Sequence, residues 1–148
     1  MSIGQIWDRL RHVGSLRFTA TSTTASGWNG RGEGTVAVEV LGDTVLLFHE
    51  SGVWWPDGGH ALRFQNVYRW TRLDSGLLRL EHLRFGADHA VHLFDLTQAA
   101  NGVWEPATPH LCREDCYSAS MRVEESNLYL CWSINGPRKH ETIEYTYW

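Results

Sequence analysis

Leu62-Arg63-Phe64-Gln65-Asn66-Val67-Tyr68-Arg69-Trp70-Thr71-Arg72 is the first of three runs that decide the fold. Leu77–Phe85 and His89–Thr97 follow it, and Asp74-Ser75-Gly76 and Gly86-Ala87-Asp88 stand as turns between them. A parallel return needs a crossover of a dozen or more residues, so turns this short make the three runs antiparallel neighbours. The centre of the chain therefore reads as a β-meander.

Working outward, the same pattern repeats. Upstream, Val36, Val38 and Val40 share a face of Thr35–Leu41; Gly42-Asp43 is a hairpin turn, and Thr44–Trp54 returns. Ser15–Ser22 alternates, with Leu16, Phe18 and Ala20 on one face. Before it, Ser2 and Gln5 form a capping-box pattern, and Ile3, Ile6, Trp7, Leu10 and Val13 recur at helical spacing, which predicts a helix over residues 3–13. Downstream, Tyr117, Ala119, Met121 and Val123 alternate, as do Leu128, Leu130, Trp132 and Ile134, and then Ile143, Tyr145 and Tyr147. The total is about nine strands and one short helix in a single domain spanning residues 1–148. Sequential hairpins with one apolar face close naturally into an all-β, antiparallel up-and-down barrel of about eight to ten strands, with a two-sheet sandwich as the competing architecture. The helix is expected to cover an open end.

The 148 residues carry a net charge of −4 and no Lys/Arg block, which argues against a nucleic-acid partner. No run approaches the length of a membrane-spanning helix, and the charged N-terminus does not read as a secretory signal. Three cysteines, an odd number, point to reduced thiols in a cytoplasmic protein. Eight tryptophans imply an unusually aromatic core or an aromatic cavity.

From Tyr68 onward the chain resembles a family of small bacterial and fungal proteins known as the domain of unknown function 6314. The resemblance is carried by Val91-His92-Leu93-Phe94-Asp95-Leu96, by His110-Leu111-Cys112 with Asp115 and Tyr117, and by Trp132 with Gly136-Pro137-Arg138-Lys139. It implies a calycin-like, lipocalin-type barrel and no particular activity. Separately, Trp28-x-Gly30-x-Gly32-x-Gly34 resembles the glycine signature of the nitrobindin haem barrels. That likeness implies a haem-ligating histidine on a C-terminal strand, a place that His140 would take.

A small hydrophobic, aromatic or acidic ligand is the expected partner, with no resident cofactor and with the oligomeric state left open. Trp28, Tyr68, Arg69, Trp70, His92, His110, Tyr117 and Trp132 are the candidate ligand-binding residues. Inward-pointing Arg69 and Arg79 would make an anion pocket, while outward they would pair with Glu81 and Asp74. His92 shares its predicted face with Ala90, Phe94 and Leu96, and period-two geometry sets Asp95 on the opposite face, which forbids a direct His92–Asp95 pair in a straight strand. An enzyme using His92 or His110 for acid–base chemistry is the alternative function, and a haem protein a further one. His110-x-Cys112-x-x-x-Cys116 has irregular spacing for zinc, and no metal site is expected there. A Cys112 nucleophile would lack a visible oxyanion signature.

Overall fold

The computed structural model describes residues 1–23, 29–107, 110–112, 115–137 and 140–148, and for 110–112 and 115–117 the backbone alone. Eleven strands run through the described residues: β1 (Ser15–Ser22), β2 (Gly30–Leu41), β3 (Val45–Pro56), β4 (Leu62–Arg72), β5 (Leu78–His82), β6 (Val91–Gln98), β7 (Trp104–Pro106), β8 (His110–Cys112), β9 (Asp115–Glu124), β10 (Asn127–Asn135) and β11 (His140–Tyr147). Each of β1 to β6 pairs antiparallel with the next, and β7 touches β9 through Trp104 and Met121. β9 pairs with β10, β10 with β11 and β11 with β1, so ten strands close on themselves; β8 is a short flap on the side of β9. Closure decides for the barrel over the sandwich.

Period-two alternation selects the interior. Leu46, Phe48 and Trp54 of β3, Tyr68 and Trp70 of β4, Leu128 and Leu130 of β10, and Tyr145 and Tyr147 of β11 are all buried. Gly76 and Gly86 turn the chain on either side of β5 with φ of 84° and 90°, a left-handed backbone that glycine adopts without cost.

One end of the barrel is plugged. The helix α1 (Ile3–Arg11) lays Ile6, Trp7 and Leu10 into the core shared with Leu46, Leu96, Met121 and Leu128. Its first turn is held by the expected capping box: Ser2 N–H donates to Gln5 Oε1 at 2.7 Å, and Gln5 N–H to Ser2 Oγ at 3.3 Å. The helix stops at Arg11, earlier than the predicted residue 13, with His12 as its cap. Gly14 and Ser15 instead donate their N–H groups to the Trp148 carbonyl, tying the helix exit to the last strand.

The glycine-rich stretch has a structural explanation. Gly32 faces the Phe18 ring so closely that a Cβ would lie 2.2 Å from Phe18 Cε1. Phe18 in turn stacks on Trp54 with ring centroids 5.4 Å apart and 11° between planes. Gly34 and Gly52, opposite one another on β2 and β3, are equally confined: a Cβ on Gly34 would meet the Ser51 carbonyl oxygen at 2.1 Å. Glycines here let two backbones and a phenylalanine ring crowd together. Trp28, the first residue of the motif, lies outside the described residues.

The central meander departs from its expected limits. β5 ends at His82 rather than Phe85, and a 3-10 turn over Ala87–His89 delays β6 until Val91. Between β5 and β6 the register shifts, so that Leu80 opposes Phe94 but Glu81 opposes His92. Leu93 is the extra residue of a β-bulge.

Candidate functional site

The end opposite α1 is open. Past the Glu50 level the inner column of β3 continues with Gly52 and then Trp54, and that of β2 with Gly34 and Gly32, so the interior is no longer filled from every strand. A cavity of about 580 Å³ results, within the range of small-molecule sites. Its walls are Phe18, Trp54, Phe64, Trp132, Ile143 and Tyr145. These rings support one another: Phe18 meets Phe64 edge-on at 5.4 Å and lies tilted against Tyr145 at 5.1 Å. Arg63 and Glu141, one charge of each sign, also border the cavity.

Polar groups gather at the floor. Tyr68 and Tyr145 approach hydroxyl to hydroxyl at 3.4 Å, and His82 stacks on the Tyr68 ring at 4.7 Å. All three residues line the cavity. Beneath them, Glu50 is 2% exposed, the sole buried polar or charged residue among the described residues. Tyr147 donates its hydroxyl to Glu50 Oε2 at 2.7 Å, and Oε1 has no hydrogen-bond partner among the described residues. Burial pushes the Glu50 carboxyl up to about 8, against a smaller opposing pull from the Tyr147 hydrogen bond. Burial first, and the nearby Glu50 second, raise the Tyr68 and Tyr147 phenols above their ordinary range; Tyr145 is raised by burial, then by Tyr68 and Glu50. The three phenols therefore stay protonated. His82 is shifted down by burial and then by Arg84, which favours the neutral imidazole. Trp132 Nε1 is a second buried polar atom without a hydrogen-bond partner among the described residues.

The structure divides the expected site residues. Tyr68 and Trp132 line the cavity. Trp70 does not: it is 1% exposed in the packed core, with Phe48 against it edge-on. Arg69 faces outward and donates Nε–H to Glu81 at 2.9 Å. Arg79 does the same to Asp95 at 2.9 Å, so no anion pocket forms from this pair. His92 is also outside. The bulge turns it to the outer face, where Nε2 lies 3.0 Å from Asp95 Oδ1, making the pair that a straight strand forbids. On its 42% exposed side chain it does not reach the cavity. Asp95, flanked by Arg79 and His92, is held down at about 2, chiefly by the Arg79 hydrogen bond. His110 and Tyr117 pair backbone to backbone between β8 and β9, and their side chains, with those of Cys112 and Cys116, lie outside the described residues. His140 opens β11 as expected but is exposed, with parity opposite to the buried Tyr145 and Tyr147, so it does not offer an interior haem ligand. Among the described residues no three His, Cys, Asp or Glu side chains group to hold a metal. No helix among them is long and apolar enough to cross a membrane.

Fold and cavity together define a calycin-like barrel, plugged at one end by a helix and open at the other into an aromatic chamber. The sequence matches DUF6314, a family of unknown function, over residues 11–148, and the chain belongs to that family. No curated protein matches it. Among solved structures, an S-type phycobiliprotein lyase from Guillardia theta is similar at a TM-score of 0.60 and 11% identity, over 99% of this chain and 92% of that one. At that identity the likeness is one of fold.

Proposed function

We propose that this barrel binds one small, largely aromatic molecule in the chamber at its open end. The observation that carries the reading is the cavity of about 580 Å³, walled mainly by aromatic rings and floored by phenols, in a barrel whose other half holds the packed core. Aromatic walls with a few polar groups at the base suit a flat ligand that is held by stacking and oriented at one end. The neighbouring fold belongs to a protein described as a phycobiliprotein lyase, which is consistent with a barrel of this class handling a small molecule. Titration with 1-naphthylmethanol, followed by quenching of tryptophan fluorescence, tests this. Trp132→Ala is expected to weaken binding about tenfold or more, while Arg69→Ala and His92→Ala leave it unchanged. Equal sensitivity to the outer-face substitutions would count against the chamber.

One observation favours a second reading, acid–base catalysis on the bound molecule: among the described side chains a histidine does line the chamber, and it is His82, not His92. Its limb in a pH–rate profile would fall below the roughly 6.5 of free imidazole, because its imidazolium is disfavoured. A limb that persists in His82→Gln would reject that assignment.

A further inference from the structure

The buried Glu50 carboxyl has no role in the reading above, which asks only for an aromatic chamber. Buried acids are ordinarily paired with a cation or fully hydrogen-bonded. Glu50 has one phenol on one oxygen and, among the described residues, no hydrogen-bond partner on the other. Among the described residues, the groups that interact with it are Tyr147 and Tyr145 from β11 and Tyr68 from β4, all of them phenols. Directly across from it on β4 stands Asn66, which lines the chamber, and the next inner position of β3 toward the mouth is Gly52, so its own strand sets no side chain over it. Tyr68 and Tyr145 thus form both the chamber floor and the roof of the carboxyl. Arg69 and Arg79 are paired with carboxylates on the outer face, and the charges that do border the chamber, Arg63 and Glu141, are one of each sign.

Resting on the aromatic-chamber reading, we propose that the ligand is a flat aromatic molecule bearing a basic nitrogen, with Glu50, beneath the Tyr68–Tyr145 pair, as its counter-charge. Ring faces attract a cation through their quadrupole, and more strongly where water is excluded, so Phe18, Trp54, Trp132 and Tyr145 add to the same preference. The phenols supply hydroxyl oxygens that accept from an ammonium group while remaining protonated. The empty chamber keeps Glu50 neutral; an arriving cation draws the proton off, and the pair is neutral again.

Three naphthalene probes separate the possibilities at pH 7: 1-naphthylmethylamine, 1-naphthylmethanol and 1-naphthoate. The amine is expected to bind about tenfold or more tightly than the alcohol, with the acid weakest. Calorimetry of the wild-type protein in buffers of different ionisation enthalpy is expected to show proton release with the amine and none with the alcohol. Glu50→Gln is expected to abolish both the amine's advantage and the proton release while leaving alcohol binding intact, which also shows that the variant is folded. Alcohol or acid binding as tight as the amine overturns the assignment of Glu50 and leaves the chamber standing. Failure of all three probes to bind overturns both.

Discussion

Burial at Glu50 disfavours the charged form of its carboxyl. Its carboxyl lies at about 8 in the folded protein against an ordinary 4.5, so between those values the folded state binds the extra proton. Stability is therefore expected to fall as pH rises through that window, with a slope of at most about 1.4 kcal/mol per pH unit, and to level off above it. Urea unfolding at pH 5.5 and 8.5 checks this; Glu50→Gln should remove most of the difference. Gly32 makes a second prediction. A methyl group there displaces the Phe18 ring, so Gly32→Ala should cost about 1–3 kcal/mol, and less in a Phe18→Ala background. Gly34→Ala should cost more, because its obstacle is the Ser51 carbonyl and no rotamer relieves it. Both positions stand in the sequence in plain view. Period two alone sets Glu50 on the face of Leu46, Phe48 and Trp54, yet a charged residue in an apolar column is easily passed over as an outer position. The glycine motif marked a close approach correctly, but it did not say that the approaching group was Phe18.

At the scale of elements, the bulge in β6 decides that His92 is outside. It brings His92 onto the outer surface that already carries Asp95, Arg79 and Glu81, where the regular β4–β5 register pairs Arg69 with Glu81. Asp95 is depressed to about 2, so what it contributes is present above its ordinary 3.8 and is lost as pH falls toward 2. Because these pairs are partly solvated, Asp95→Asn should cost no more than about 1 kcal/mol at pH 7, read as a small shift of the denaturation midpoint. The plug is another matter: Leu10→Ala empties part of a fully buried contact and should cost about 2–5 kcal/mol. The strands and the helix were legible because alternation and helical spacing are strong signals in β1, β9, β10 and α1. The bulge was not. No glycine or proline marks Val91–Asp95, and one extra residue reverses every expected facing beyond it. That single insertion accounts for the misplacement of His92.

For the whole molecule, the division between a packed half and a hollow half follows from where large side chains and glycines fall along the inner columns. Trp70, Phe48 and the helix fill one end, while Gly32, Gly34 and Gly52 leave the other dependent on Phe18, Trp54 and Trp132 for its walls. Closure into a barrel was readable from sequential hairpins, whereas the hollow depends on strand stagger and closure, to which a one-dimensional pattern is blind. The most direct test is a two-dimensional NMR spectrum of the indole N–H groups, recorded as 1-naphthylmethanol is added. Trp54 and Trp132 line the chamber, and Trp7 and Trp104 belong to the packed core. The Trp54 and Trp132 signals are expected to shift saturably while those of Trp7 and Trp104 stay in place. Saturable binding that moves Trp7 and Trp104 and leaves Trp54 and Trp132 untouched would contradict the chamber reading.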